Sequence, residues 1–191
     1  LNHSGTFQKF GKITFTSKAV HEIPTADDMY YEDWAGRITK GTERFYPQDD
    51  EFFGHLIADE IDISQTPWKV LPPNAFNNSM VGEVKLPEGL EAISAMAFNC
   101  FLSDNELVIP STVKYIGEKA MQCSNLYYSS DKRPETITEL AAVKVTSLPR
   151  GLVYVGDMAF YDNTRMTADL TAPNLEYIGI RAFQGSNVRD V

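Results

Sequence analysis

"LPEGLEAISAMAFNC" at residues 86–100 and "LPRGLVYVGDMAFYD" at residues 148–162 hold Leu, Pro, Gly, Leu, Met, Ala and Phe in step, while the residues between them change freely. A chain repeats such a spacing when each copy meets the same neighbours, so the search for a period precedes any local reading. The Ala that stands before Phe or Met serves as an anchor: Ala75, Ala97, Ala120, Ala159 and Ala182 are separated by 22, 23, 39 and 23 residues, the long interval being 23 plus an insertion of 16. Seven residues before the anchors stand Trp68, Leu90, Val113, Leu152 and Leu175. Four before them stand Leu71, Ile93, Ile116, Val155 and Ile178, and one after them Phe76, Phe98, Met121, Phe160 and Phe183. Every one of these positions is apolar. Pro87, Pro110, Pro149 and Pro173 precede four of the anchors, and "VKLP", "LVIP", "TSLP" and "LTAP" around them read as short strands.

A unit of about 23 residues with one short strand cannot bury its own apolar face, and stacking like units supplies the missing cover. The expected fold is therefore an α/β repeat: a solenoid with short parallel strands about 4.8 Å apart. The apolar positions spaced by 3 and 4 would form helical or irregular turns on the opposite side. Residues held in step face the interior, and the variable ones face water.

The run "LPEGLEAISAMAFNCFLSDNELVIPSTVKYIGEKAMQCSNL" resembles the BspA-type leucine-rich repeats, whose pattern is close to L-P-x-x-L-x-x-I-G-x-x-A-F-x-x-C-x-x-L-x-x-I-x-I-P. The likeness extends over about residues 61–188 in five units. Met121 departs from Phe, Ser94 from the Gly kept at Gly117, Gly156 and Gly179, and Tyr161 with Asp162 from the Cys region. The resemblance implies a bacterial cell-surface or secreted protein, often host-associated, that works in adhesion. It also implies a protein or glycan partner, host extracellular matrix among them.

Two parts are expected: a strand-rich N-terminal cap or subdomain over 1–60 and a leucine-rich-repeat solenoid over 61–191, with an insertion at 127–144. No period is visible before about Arg44, while "TFQKFGKITFTSK" alternates Phe and Ile with polar residues as strands do. The stretch "DDEFFGHLIADEI" at 49–61 reads either as a degenerate coil or as an amphipathic helix. Leu1 in place of Met fits a processed product and a trimmed boundary alike.

At 43% hydrophobic and 23% charged residues, the 191-residue chain has the composition of a globular protein with a sizeable core. Its 17 Lys and Arg against 26 Asp and Glu give a net charge of -9 and no long basic run, which argues against nucleic acid as partner. No apolar run approaches the ~20 residues of a membrane helix. His3, His21 and His55 all lie in the first third, so no His-dependent nucleophile or metalloprotease constellation assembles near the repeats. No catalytic residue, metal or cofactor is expected. The acids near His55 lack the spacing of a calcium loop and read as a solvated face.

Cys100 and Cys123 hold the same place in successive units. Parallel inward side chains about 5 Å apart are too far for the ~3.8 Å Cβ separation of a disulfide, so free, buried thiols are expected. Candidate binding residues are Tyr127, Tyr128, Lys132 and Arg133 in the insertion, whose types suit a binding hot spot, and the outward strand residues Lys85, Val108, Ser147 and Thr171. The expected function is noncatalytic binding at the cell surface or in the extracellular space. The rivals are a structural spacer without a specific ligand and a hydrolase in the N-terminal third.

Overall fold

The structure, a computed structural model, describes residues 9–15, 56–123 and 142–188. Among them run eight strands: β1 (Lys9–Thr14), β2 (Ile57–Asp62), β3 (Val70–Leu71), β4 (Met80–Lys85), β5 (Ala92–Ile93), β6 (Tyr115–Ile116), β7 (Tyr154–Val155) and β8 (Tyr177–Ile178). All pairings between them are parallel, as a stack of like units requires. They form a sheet ordered β1-β2-β4 and a five-stranded sheet ordered β3-β5-β6-β7-β8, the latter with one two-residue strand from each repeat. The insertion residues Tyr127, Tyr128, Lys132 and Arg133 and the three histidines lie outside the described residues.

Constant register turns the sequence period into straight rows. Leu71, Ile93, Ile116, Val155 and Ile178 face one another rung by rung, one residue beyond the row Val70, Ala92, Tyr115, Tyr154 and Tyr177. Leu90, Val113 and Leu152 are fully buried in one continuous core with Trp68, and Leu175 packs against its edge. The row one residue after the anchors forms the spine: Phe76 and Phe98 stack at 5.0 Å and 7°, and Phe160 and Phe183 at 5.3 Å and 7°. Met121 fills the intervening rung, and Phe101 meets Phe76 and Phe98 edge-on.

The turns differ from the helical alternative, since no helix occurs among the described residues. In the first full unit the amides of Ala75, Asn77 and Ser79 donate to the carbonyls of Pro72, Asn74 and Phe76, closing three overlapping turns. The alternate amides of Asn74, Phe76 and Asn78 donate instead to Ala95, Ala97 and Asn99 of the next unit. An α-helix would spend all these donors inside its own ladder. Here half of them bind the neighbour.

That geometry needs residues with positive φ, which appear just before the anchor at Asn74, Met96, Lys119, Met158 and Arg181 and three after it at Asn78, Cys100, Asp162 and Gly185. Left-handed backbone costs about 1–2 kcal/mol at a non-glycine residue, and the hydrogen bonds between units offset it. Spacings of 3 and 4 suggested a helix because they place apolar residues on one side. Left-handed corners achieve the same result in a flatter path.

Close stacking also explains the Gly that follows Ile or Val. A Cβ on Gly117 would stand 2.6 Å from the Ala95 amide nitrogen, and one on Gly156 would stand 2.6 Å from that of Glu118.

β1 adds to β2 in parallel, with Phe10 and Ile13 against the core, so part of the first third joins the stack. β2 runs through residues 57–61, which excludes the amphipathic helix over the described part of 49–61, and it crosses the position between residues 60 and 61. Beyond β4 the three-stranded sheet thins to single bridges, parallel at Met80–Leu102, Glu106–Lys144 and Val145–Met166 and antiparallel at Leu102–Ala142. Arg165 spans this thinned region: its guanidinium donates to the carbonyls of Ser103 at 2.8 Å, Ala142 at 3.1 Å and Asp104 at 3.3 Å.

Phe98 is buried between two aromatic neighbours, so Phe98→Ala should lower stability by ~3–5 kcal/mol. Urea unfolding followed by fluorescence checks this, and an unchanged midpoint would contradict the packed spine.

Candidate functional site

Two surfaces of the stack carry side chains in repeating places. The first lies ahead of the prolines. Lys85 ends β4 opposite Asp62, and Val108, Ser147 and Thr171 occupy the same place in the following units. These units adjoin on this face: the Thr146 hydroxyl donates to the Glu106 carboxylate, the Leu107 amide donates to Lys144 O, and the Thr167 amide donates to Val145 O. Val108 is 69% exposed, and Ser147 and Thr171 are also exposed.

Lys85 is differently placed. Its ammonium lies 2.7 Å from Glu60 and 3.8 Å from Glu83, while Lys12 lies 2.9 Å from Glu60 and 3.8 Å from Asp62. The network stitches β1, β2 and β4 together. The Lys85 hydrogen bond, followed by that of Lys12, holds the Glu60 carboxyl below its ordinary value, and Glu60 in turn raises Lys85. Asp62 is lowered chiefly because the Ser64 hydroxyl and amide donate to its Oδ1 at 2.7 and 3.0 Å. These acids from the stretch around His55 therefore work within the sheet.

The second surface is one that sequence reasoning passed over. Tyr115, Tyr154 and Tyr177 stand in register on the five-stranded sheet, each half-buried. Tyr154 and Tyr177 stack at 4.8 Å and 9°. The Tyr177 hydroxyl donates to Asp157 Oδ1 at 3.3 Å, and the same oxygen accepts the Ile180 amide at 2.8 Å. Tyr-Ile-Gly, Tyr-Val-Gly and Tyr-Ile-Gly at 115–117, 154–156 and 177–179 were the available signal. Such rings combine an apolar face with a polar hydroxyl that needs a hydrogen-bond partner when buried.

Both cysteines are free. Cys100 is buried as expected, whereas Cys123 is only partly so and packs against the small cluster of Ile57, Met80 and Leu102. Burial, reinforced by Cys100 and Asp162, pushes the Cys123 thiol up to about 12. Among the described residues no group of three or more His, Cys, Asp or Glu is placed to hold a metal ion, and no helix is long and apolar enough to cross a membrane.

The family model for the BspA-type leucine-rich repeat region matches residues 48–142 and 135–191 in six copies. The chain belongs to that family. The six BspA-type copies exceed the five full units read from the anchors, and the match takes in residues before Ile61. No curated protein and no solved structure matches the chain significantly.

Two outcomes follow from these charges and thiols. A carboxyl whose folded value is lowered contributes stability that is complete above its ordinary value and is lost as pH falls through the folded one. Acidification below the ordinary values of 4.5 for Glu60 and 3.8 for Asp62 should thus lower the melting temperature, and Glu60→Gln should flatten that dependence. Identical slopes in the two proteins would show the network to be idle.

For the thiols, iodoacetamide near neutral pH should label neither cysteine in the folded protein, because the thiolate is the nucleophile and Cys123 stays protonated. Unfolding without reductant should expose both to labelling, as intact mass will show. A chain still unlabelled after unfolding would contain a disulfide.

Proposed function

We propose that this chain is a noncatalytic binding module of the cell surface or extracellular space, recognising a protein or glycan through an extended face of its repeats and through the insertion at 127–144. The observation that carries this reading is the constant register of the five-stranded sheet, which sets equivalent side chains of successive units in straight rows. A row of this kind offers many small contacts along one line, the usual mode of repeat proteins. Membership of the BspA-type family supports the reading, by analogy of fold more than by chemistry of a site. The first sixty residues act as the cap of the stack, and the repeats from residue 61 onward carry the contacts.

Of the outward row, Val108, Ser147 and Thr171 are the free contributors, since Lys85 is committed to Glu60. Tyr127, Tyr128, Lys132 and Arg133 supply the aromatic and cationic groups that dominate binding energies at protein surfaces.

The test is binding of the purified chain to immobilised host-matrix proteins and to a glycan array. Tyr127→Ala with Tyr128→Ala should weaken the captured interaction about tenfold or more, with the melting curve unchanged. Binding to neither class of surface would overturn the reading in favour of a spacer. Full binding by the double variant would move the contact off the insertion.

A further inference from the structure

Cys100 and Cys123 each stand three residues after an anchor, a place held by Asn78 in the unit before them and by Asp162 in the unit after. The Cys100 amide donates at 2.8 Å to the carbonyl of Gln122, the residue next to Cys123, so the two cysteines adjoin across one junction of the stack. Cys123 leans back over that junction: it packs against the cluster of Ile57, Met80 and Leu102, where Leu102 belongs to the unit of Cys100 and Met80 brings a thioether. Burial is the first cause that pushes the Cys123 thiol up to about 12, and Cys100 is the next, as a neighbouring sulfur would be.

The step from unit to unit decides what such a pair can hold. Units about 4.8 Å apart keep a straight row of side chains beyond the ~3.8 Å Cβ separation of a disulfide. Two metal–sulfur bonds of about 2.3 Å laid end to end span about 4.6 Å, close to that step. Structural zinc takes four donors, and among the described residues no three His, Cys, Asp or Glu gather around one point. Calcium and magnesium take cages of oxygen. A soft closed-shell monovalent ion is satisfied by two thiolates in line, and it prefers sulfur to a carboxylate such as that of Asp162. Cys100 is 5% exposed, whereas Cys123 is partly open to solvent and gives the ion its way in.

We infer that Cys100 and Cys123 form a two-thiolate site for a soft monovalent cation of the Cu(I) class, bridging two units of the stack. Binding forms two metal–sulfur bonds, breaks two S–H bonds and releases two protons to solvent, with no change of oxidation state. The Cys100 thiol gives up its long contact of 3.9 Å to the Asn99 side-chain oxygen. The site does not depend on the surface rows that would meet a protein or glycan, so either can fail without the other.

Anaerobic titration of the whole 191-residue chain with Cu(I) against a colorimetric chelator tests it. The chain should take up one ion, and its melting temperature should rise with uptake. Affinity should climb by up to about a hundredfold per pH unit, because two protons leave for each ion bound. X-ray absorption at the copper edge should show sulfur ligands alone. Cys123→Ser, at the less buried thiol, should raise the dissociation constant about a hundredfold or more with the metal-free melting temperature unchanged. No uptake against the chelator, one ion shared by two chains, nitrogen or oxygen ligands at the copper, or full affinity in Cys123→Ser would each overturn the site.

Discussion

Everything in this molecule depends on where the turn amides point. Alternate N–H groups in each turn close the turn itself, and the rest donate to carbonyls of the next unit, as Met96, Phe98 and Cys100 do to Glu118, Ala120 and Gln122. Backbone polarity therefore joins one unit to the next, and apolar side chains only have to fill the space between. The left-handed residues, the Gly that follows each Ile or Val from the second junction onward, and the straight Phe spine are consequences of bringing two turns close enough for those bonds.

The same closeness shapes the surface. Rows at the spacing of neighbouring parallel strands can hold stacked rings, as Tyr154 and Tyr177 do, or bring opposite charges together across strands, as Lys12 directly opposite and Lys85 diagonally do at Glu60. The second arrangement uses up its charges internally. On that side the outward row continues in the uncharged Val108, Ser147 and Thr171, while electrostatic work goes into holding β1 and β4 to β2.

Much of this was legible in the sequence because one physical demand recurs unchanged. Leu90, Val113 and Leu152 must each be apolar to sit inside, and five repetitions raise that signal above chance. The turns were not legible: their left-handed corners carry Met96, Lys119, Met158 and Arg181, where Gly or Asn would have announced the geometry. The ion pairs of Glu60 join residues 48 and 25 positions apart, a separation that only the strand order explains. The tyrosine row escaped notice for a different reason. Its residues lie between two positions of the apolar pattern, and the pattern drew attention to its own members.

Arg165, beyond the long interval between Ala120 and Ala159, draws in the carbonyls of Ser103 and Asp104 ahead of that interval and of Ala142 within it. A stack with an extra length of chain in one storey would ordinarily pull its floors apart at that level. The amides of Lys119, Met121 and Cys123 still reach Asp157, Ala159 and Tyr161 across that interval, and with the guanidinium closing the thinned side the upper storeys resume the pitch of the lower ones, so the protein can lengthen one loop without rebuilding the column around it.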